Sequence, residues 1–179
     1  INPICIHPMF GPGIKTLKGQ NIISVPIKDA KKELTMAKTL FAGANFVTID
    51  AAEHDKKIAV ILGLTHLMNL VFANIISKDE KSILTEKMSG TTFRVQKTLA
   101  ESIMTESPEL IETIIANPEI RRVAEDLWKD IGRLLTAVQE SKTEEVVNYI
   151  KECQERLEKH SDVNESYKKL SKMVKAVEK

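Results

Sequence analysis

The sequence predicts a mainly α-helical chain that begins with a short α/β segment. Residues 1–50 contain three short β-branched runs, and a helical segment separates the second run from the third. Strand, helix and strand with short connections are typical of an α/β layer. Residues 51–179 show only the 3.6-residue periodicity of amphipathic helices. We therefore expect two domains, 1–50 and 51–179, and the first is small enough to be the last part of a larger α/β domain.

Three strands and one helix are predicted in the first segment. The strands are PICIH (3–7), NIISVPI (21–27) and NFVTI (45–49). Asp29 is a candidate N-cap for a helix over 30–43. Because Pro8 follows His7, the backbone of His7 is expected to be extended.

The next segment predicts a long apolar helix. Asp50 and Glu53 have the spacing of a capping box, and the helix continues through IAVILGLTHLMNLVFANII (58–76). Its length approaches the roughly 20 residues that a bilayer requires, but its polar residues and charged flanks favour a soluble helix. A soluble helix that is apolar nearly all round must be buried on every side. We therefore expect no membrane span, and a homodimer in which a second subunit covers this helix.

Further helices complete the chain. One is expected over 91–105, and the Ser107-Pro108 and Asn117-Pro118 pairs each resemble an N-cap followed by a first-turn proline. A 3.6-residue apolar stripe runs from Ile120 to Val138. Helices over 143–159 and 163–178 follow, and the narrow seam of the last predicts one partner helix.

Composition excludes several function classes. The net charge is +1 and aromatic residues make up 4% of the chain, so neither nucleic acid nor an anionic membrane is expected as a partner. Cys5 and Cys153 are far apart, which predicts reduced core thiols in a cytoplasmic protein. The sequence has no metal-binding motif, no GxGxxG and no GxxxxGK[ST]. It lacks a signal-peptide pattern and starts at Ile1, so we expect an N-terminal truncation.

His7 is the first candidate site residue, in HPMFGPG (7–13). It stands at the carboxyl end of a predicted strand, where open α/β sheets bind ligands. Met9 and Phe10 could line an apolar pocket, and Gly11-Pro12-Gly13 would let the backbone approach a ligand closely. The residues alone leave two interpretations open: a general base near neutral pH, or a turn histidine bonded to backbone.

Two other polar groups are candidates. Thr65, His66 and Asn69 form a polar stripe on the apolar helix, which is either an internal hydrogen-bond network or the floor of a polar pocket. Arg94 and Lys97 share a helical face and could clamp a carboxylate, although ordinary surface ion pairs are the default interpretation. His54, in a first helical turn, is interpreted as a surface residue near a cap.

Taken together, these motifs resemble those of the prephenate dehydrogenase family of tyrosine biosynthesis. The resemblance rests on HPMFGP (7–12), EHD (53–55), THLMN (65–69), FRVQKTLA (93–100) and SPELIETIIANP (107–118), in that order. It covers essentially the whole chain but not the family's N-terminal half, which carries the dinucleotide fingerprint. It implies a fragment: residues 1–50 end a Rossmann-type nucleotide-binding domain, and residues 51–179 form an all-helical dimerisation domain like the C-terminal domain of 6-phosphogluconate dehydrogenase.

The resemblance also implies an activity and its residues. The family catalyses the oxidative decarboxylation of prephenate to 4-hydroxyphenylpyruvate with NAD or NADP, and the fragment alone is expected to be inactive. By position, His7 takes the proton of the substrate's 4-hydroxyl group. The implied substrate-binding residues are His66, Asn69, Arg94 and Lys97, and the implied cofactor-binding residues are Pro8, Met9 and Gly11.

The chain departs from the family pattern at several positions. Asn69 replaces a histidine found in many members, Gly13 replaces an acidic residue, and no arginine stands near Thr98 or Ser102.

Three alternative functions remain open: an arogenate dehydrogenase, a non-catalytic helical dimerisation module, and an all-helical chorismate mutase. The last would need several cations and Glu or Gln side chains around one pocket, and here such residues are scattered.

Overall fold

The computed structural model describes residues 3–11 and 13–177, so Pro12 of the HPMFGPG segment lies outside the described residues. Contacts within the described chain divide it into two compact units, Ile1–Ala59 and Val60–Lys179. The chain is mostly helical, with a small sheet near its N-terminus, which confirms the predicted fold class.

The first unit contains a three-stranded sheet in the order β1-β2-β3. Its strands are β1 (Ile6–Pro8), β2 (Asn21–Ser24) and β3 (Asn45–Thr48), and helix α1 (Ala30–Leu40) connects the last two. β1 is antiparallel to β2, and β2 is parallel to β3. The strands pair over fewer residues than the predicted runs, and β1 ends one residue later than predicted, at Pro8. Ile22, Ile23 and Ser24 of the middle strand are buried.

A buried carboxylate fixes the connection from β2 to α1. The side chain of Asp29 caps α1 by accepting from the backbone N–H of Lys32 at 3.1 Å, as predicted. Glu33, which is 5% exposed, accepts from the backbone N–H groups of Ile27, Lys28 and Asp29 at 2.9, 2.7 and 2.9 Å. These three donors lower the pKa of Glu33 below its ordinary value.

The long apolar helix is present but is interrupted by a π-helical turn. It consists of α2 (Ala51–Ile58), the π-helical turn Ala59–Leu64 and α3 (Thr65–Ile76). Asp50 accepts from the backbone N–H of Glu53 at 2.8 Å, whereas the Glu53 carboxylate pairs with Lys57 instead of completing the capping box. By length and composition this helix could cross a membrane, and 28% of its most apolar window is buried. That criterion is weak evidence, because the core helix of a soluble protein meets it too.

Helices make up the described part of the second unit. After α3 come α4 (Ser82–Met88), α5 (Thr91–Ile103), α6 (Pro108–Ile115), α7 (Ile120–Gln139), α8 (Thr143–Glu158) and α9 (Val163–Val177). α3 packs against α5 and α6, α7 packs against α8, and α9 packs against α5. The seam on the last helix therefore has one main partner helix, as its pattern predicts. The sequence patterns did not predict helix α4.

The two proline-containing helix starts differ. Ser107 caps α6 by accepting from the backbone N–H of Leu110 at 3.2 Å, as expected. Asn117 instead accepts from the backbone N–H of Glu119 at 2.9 Å, and α7 begins at Ile120. The predicted start at Pro118 was wrong because residues 117–119 form a tight turn before the helix.

Several apolar side chains of α3 remain exposed. Met68, Val71 and Ile75 are 46%, 54% and 63% exposed and lie three and four residues apart, on one face of the helix. We call these three residues the α3 stripe. Burial of the apolar helix on every side is thus not achieved within one chain. The cysteine prediction was also wrong in part, since Cys5 is exposed and Cys153 is half-buried, although both are free thiols.

Candidate functional site

His7 of the first unit forms a hydrogen bond with His54. The Nδ1 atom of His7 lies 3.0 Å from the Nε2 atom of His54. The ring centroids are 5.3 Å apart and the rings are tilted by 51°, which suits an edge hydrogen bond better than stacking. His7 is the middle residue of β1, which extends one position beyond the predicted strand end, to Pro8. Asp50 caps α2, so His54 falls in the first turn of this helix, and its backbone N–H donates to the Asp50 carbonyl.

Asp55 extends this pair into a chain of three groups. The Nδ1 atom of His54 lies 2.9 Å from Oδ1 of Asp55. The side chain of His54 is 19% exposed and that of Asp55 is 56% exposed. We call His7, His54 and Asp55 the histidine chain.

The surroundings of His7 favour its neutral form. Partial burial, and secondarily the neighbouring His54, lower the pKa of His7 below its ordinary value. Burial acts in this direction because it disfavours the charged imidazolium. A neutral imidazole is available to accept a proton at neutral pH.

The residues after His7 leave space for a ligand. Pro8 and Gly11 are exposed, and Met9 is half-buried. The backbone N–H of Met9 donates to the carbonyl of Asn21 at 2.9 Å, which holds this segment against β2. A Cβ placed on Gly11 would meet no atom within 4 Å, so a flat ring could approach the backbone there.

His66 and Asn69, in the second unit, are buried in a hydrogen-bond network, each 5% exposed. Nδ1 of His66 lies 2.7 Å from the carbonyl of Leu62, and Nε2 lies 3.3 Å from Oε2 of Glu106. Asn69 donates to the carbonyl of Thr65 and accepts from Nε2 of Gln96 at 2.9 Å. The sequence left two interpretations of this polar stripe open, an internal hydrogen-bond network and the floor of a polar pocket. These contacts form an internal network.

Arg94 and Lys97 lie together on α5, in a shallow pocket with Glu86 and Glu101. Nζ of Lys97 is 2.9 Å from Glu86 and 2.5 Å from Glu101. These hydrogen bonds raise the pKa of Lys97 above its ordinary value. Nε of Arg94 donates to Oγ of Ser89 at 3.2 Å. The two cations share a face as predicted, and Lys97 already has acidic partners.

The structure thus groups the candidate residues differently from the sequence patterns. Within α3 and α5, Gln96 links Asn69 to the helix that carries both cations. Within the first unit, His7 joins His54 and Asp55. The interpretation of His54 as a surface residue near a cap was incomplete. The place of His54 in the EHD motif pointed to a role for this residue. Its hydrogen bond with His7 was not predictable, because the two residues lie 47 positions apart in the sequence.

Comparisons with known proteins place the chain in a family. Residues 50–152 match the dimerization domain of prephenate dehydrogenase. A curated relative named a probable arogenate/prephenate dehydrogenase, from Methanocaldococcus jannaschii, is 23% identical over 159 residues. The match covers 86% of this chain and 36% of that protein, so the chain spans about a third of the relative's length.

Solved structures share the fold. The arogenate dehydrogenase of Synechocystis gives a TM-score of 0.66 at 14% identity, over 89% of this chain and 62% of that one. A prephenate dehydrogenase from A. aeolicus, in complex with hydroxyphenyl propionate and NAD+, gives 0.61 at 19% identity, over 80% of this chain and 51% of that one. Since the family match spans more than half of the sequence, the chain belongs to the prephenate dehydrogenase family and contains its dimerization domain.

Proposed function

We propose that the chain is part of an NAD(P)-dependent prephenate dehydrogenase that makes 4-hydroxyphenylpyruvate in the cytoplasm. Residues 1–50 would end the nucleotide-binding domain, and residues 51–179 would form the dimerisation and substrate-binding domain. The observation that carries the proposal is His7: a partly buried histidine on β1, hydrogen-bonded to His54 and with a lowered pKa, in a chain of this family.

His7 would act as the general base. Its neutral imidazole accepts the proton of the 4-hydroxyl group of prephenate, while the carbon that bears this hydroxyl loses a hydride. The bond to the ring carboxylate then breaks and carbon dioxide leaves. The electron pair of that bond completes the aromatic ring, and the ring oxygen takes a proton back from His7 to give the phenol of the product. NAD or NADP, when bound, supplies the hydride acceptor.

The segment after His7 has room for such a cofactor. Open space at Gly11 would let a nicotinamide ring approach the backbone, and Met9 is held in place by its bond to Asn21. We assign Pro8, Met9 and Gly11 to this cofactor contact.

Arg94 and Lys97 are proposed to bind the substrate carboxylates. Arginine can hold a carboxylate with two parallel hydrogen bonds, and its neighbour Ser89 orients the guanidinium of Arg94. An anionic substrate at Lys97 would compete with Glu86 and Glu101 for the ammonium group. His66 and Asn69 would support α5 from α3, since Asn69 accepts a hydrogen bond from Gln96, which stands between the two cations in the sequence.

Arogenate dehydrogenase is the second candidate function. Arogenate carries an ammonium group in place of the side-chain keto oxygen of prephenate. Glu86 and Glu101 lie in the same pocket as Arg94 and could accept hydrogen bonds from that ammonium group. This pair of carboxylates is the observation that favours arogenate.

We propose that the protein is a homodimer with neither nucleic acid nor membrane as a partner. The α3 stripe exposes apolar area on a helix that lies within the matched dimerization domain. A second copy that covers this stripe would bury area that water disfavours. Such an interface would also explain why a helix of a soluble protein has the length and hydropathy of a membrane span.

The test uses the complete protein, including the segment upstream of Ile1. Wild-type enzyme is assayed with prephenate and with arogenate, each with NAD and with NADP. His7→Ala is expected to lower kcat by about 10²- to 10⁴-fold, the range for a positioned general base, whereas His160→Ala should not change it. Unchanged turnover in His7→Ala would remove His7 from the mechanism. Oxidation of neither substrate would favour the non-catalytic dimerisation module.

A further inference from the structure

We infer that His54 and Asp55 are positioning residues that hold His7 in its Nδ1–H tautomer, so that the Nε2 atom of His7 is the proton acceptor. The inference rests on the proposed function only for the identity of the proton donor. The tautomer itself follows from the two hydrogen bonds of the histidine chain.

Asp55 determines which nitrogen of His54 carries the hydrogen. A carboxylate oxygen can only accept a hydrogen bond, so the Nδ1 atom of His54, 2.9 Å away, must carry the hydrogen. In a neutral His54 the Nε2 atom is then an acceptor. Its partner at 3.0 Å, Nδ1 of His7, must therefore be the donor.

This hydrogen bond determines which nitrogen of His7 can accept a proton. With its hydrogen on Nδ1, the lone pair of the neutral ring is on Nε2, the nitrogen that the histidine chain does not use. When Nε2 accepts a proton, the positive charge on His7 is stabilised by a hydrogen bond to His54, which is in turn bonded to the Asp55 carboxylate. A carboxylate bonded to a catalytic histidine plays the same part in Ser-His-Asp triads, where an amide replacement selects the wrong tautomer.

Asp55 is the carboxylate of α2 that contacts His54, with its Oδ1 2.9 Å from Nδ1 of that ring. Glu53, two residues earlier, pairs with Lys57 at 3.3 Å. The side chain of His54 is mostly buried, so water competes weakly for its ring nitrogens. The relative orientation of the two rings, tilted rather than parallel, suits a nitrogen-to-nitrogen hydrogen bond.

The first test reads the tautomer directly and needs no activity. Long-range proton–nitrogen spectra of the ¹⁵N-labelled 179-residue chain are recorded at a pH where histidines are neutral, with the His7 signals assigned by their loss in His7→Gln. The expected wild-type result is a protonated Nδ1 and an unprotonated Nε2 on His7. In His54→Leu and Asp55→Asn, the Nε2–H form of His7 should increase, whereas His160→Leu and Asp126→Asn should leave it unchanged.

Two results would overturn the inference. One is a wild-type His7 with its hydrogen on Nε2, which would mean that His54 is the donor. The other is a His7 tautomer that does not respond to either substitution.

The second test measures kinetics in the complete enzyme. Asp55→Asn and His54→Leu should lower kcat by about 10- to 10³-fold, less than the loss expected in a fully buried triad, with KM little changed. His54→Gln keeps an acceptor oxygen near the position of Nε2 and should recover part of the lost kcat. Unchanged kcat in both damaging variants would also contradict the inference. If the wild-type enzyme oxidises neither substrate, the proposed function fails, and the tautomer spectra alone decide the role of the histidine chain.

Discussion

A Cβ added to Gly63 would lie 2.4 Å from Cδ1 and 2.6 Å from Cγ1 of Ile120. Gly63 belongs to the π-helical turn, and Ile120, the first residue of α7, is 4% exposed. The absence of a side chain at Gly63 therefore lets these two segments pack directly.

Gly63→Ala is expected to lower the free energy of unfolding by about 1–3 kcal/mol, the usual cost of overpacking a core. Gly132→Ala is the matched control, because a Cβ there meets no atom within 4 Å and alanine favours the helix. Urea denaturation measures both. The cost of Gly63→Ala should shrink in an Ile120→Ala background, and equal costs in the two backgrounds would show that the two residues do not couple.

Glu106→Ala is expected to destabilise the second unit. Nδ1 of the buried His66 lies 2.7 Å from the carbonyl of Leu62, and its Nε2 lies 3.3 Å from Oε2 of Glu106. Removing the carboxylate leaves a buried histidine without this partner, at a cost of about 1–2 kcal/mol. Thermal unfolding of Glu106→Ala is compared with the exposed control Glu155→Ala. Equal stability of the two variants would show that the His66–Glu106 contact contributes nothing.

Glu33 is expected to titrate below the ordinary range of a glutamate. Because its pKa is lowered in the fold, the stability it contributes is present above the unfolded pKa and is lost as the pH falls through the folded one. The backbone amide signals of Ile27, Lys28 and Asp29 should shift together at that low midpoint. Glu33→Gln should abolish the shared transition, and Glu155→Gln should not. A midpoint at or above the ordinary glutamate pKa would contradict the prediction.

Lys97→Gln in the complete enzyme is expected to raise KM by about tenfold and to change kcat little, the pattern of lost ground-state binding. The raised pKa of Lys97 keeps its charge through neutral pH, so the KM effect should not depend on pH between 6 and 8. Lys129→Gln on α7 is the control. A kcat loss with unchanged KM would mean that Lys97 is not a substrate clamp.

Val71→Lys with Ile75→Lys is expected to shift the protein from dimer to monomer. Both side chains belong to the α3 stripe and are more than half exposed in one chain, so lysine disturbs an interface and not a core. Sedimentation measures the change, with exposed Thr113→Lys as the control and circular dichroism to confirm folding. A monomeric wild-type protein would contradict the proposed homodimer, and a variant that stays dimeric would show that the α3 stripe is not the interface.

Local sequence patterns predicted what depends on neighbours along the chain. Asp29, Asp50 and Ser107 cap helices as their spacing indicates, because a cap involves residues two or three positions apart. The apolar periodicity likewise located α5, α7, α8 and α9. The start of α7 was misplaced because Asn117-Pro118 suits both a cap and a turn.

Long-range contacts were out of reach of these patterns. The bonds from His7 to His54 and from His66 to Glu106 join residues 47 and 40 positions apart. Apolar periodicity predicts which face of a helix is buried, but it does not predict which other helix or strand packs against that face. The burial of Glu33 was not predicted for a related reason. A glutamate on an amphipathic helix is usually exposed, and the sequence does not show that three backbone N–H groups bind this carboxylate.

The packing of α9 against α5 separates two kinds of boundary. The match to the dimerization domain ends at residue 152, whereas α9 (Val163–Val177) packs against α5, which lies inside the matched range, and Val174 of α9 is buried. The packing of α5 therefore depends on residues outside the matched domain. A protease cut after α8 would leave the matched domain intact and still expose the residues of α5 that α9 covers.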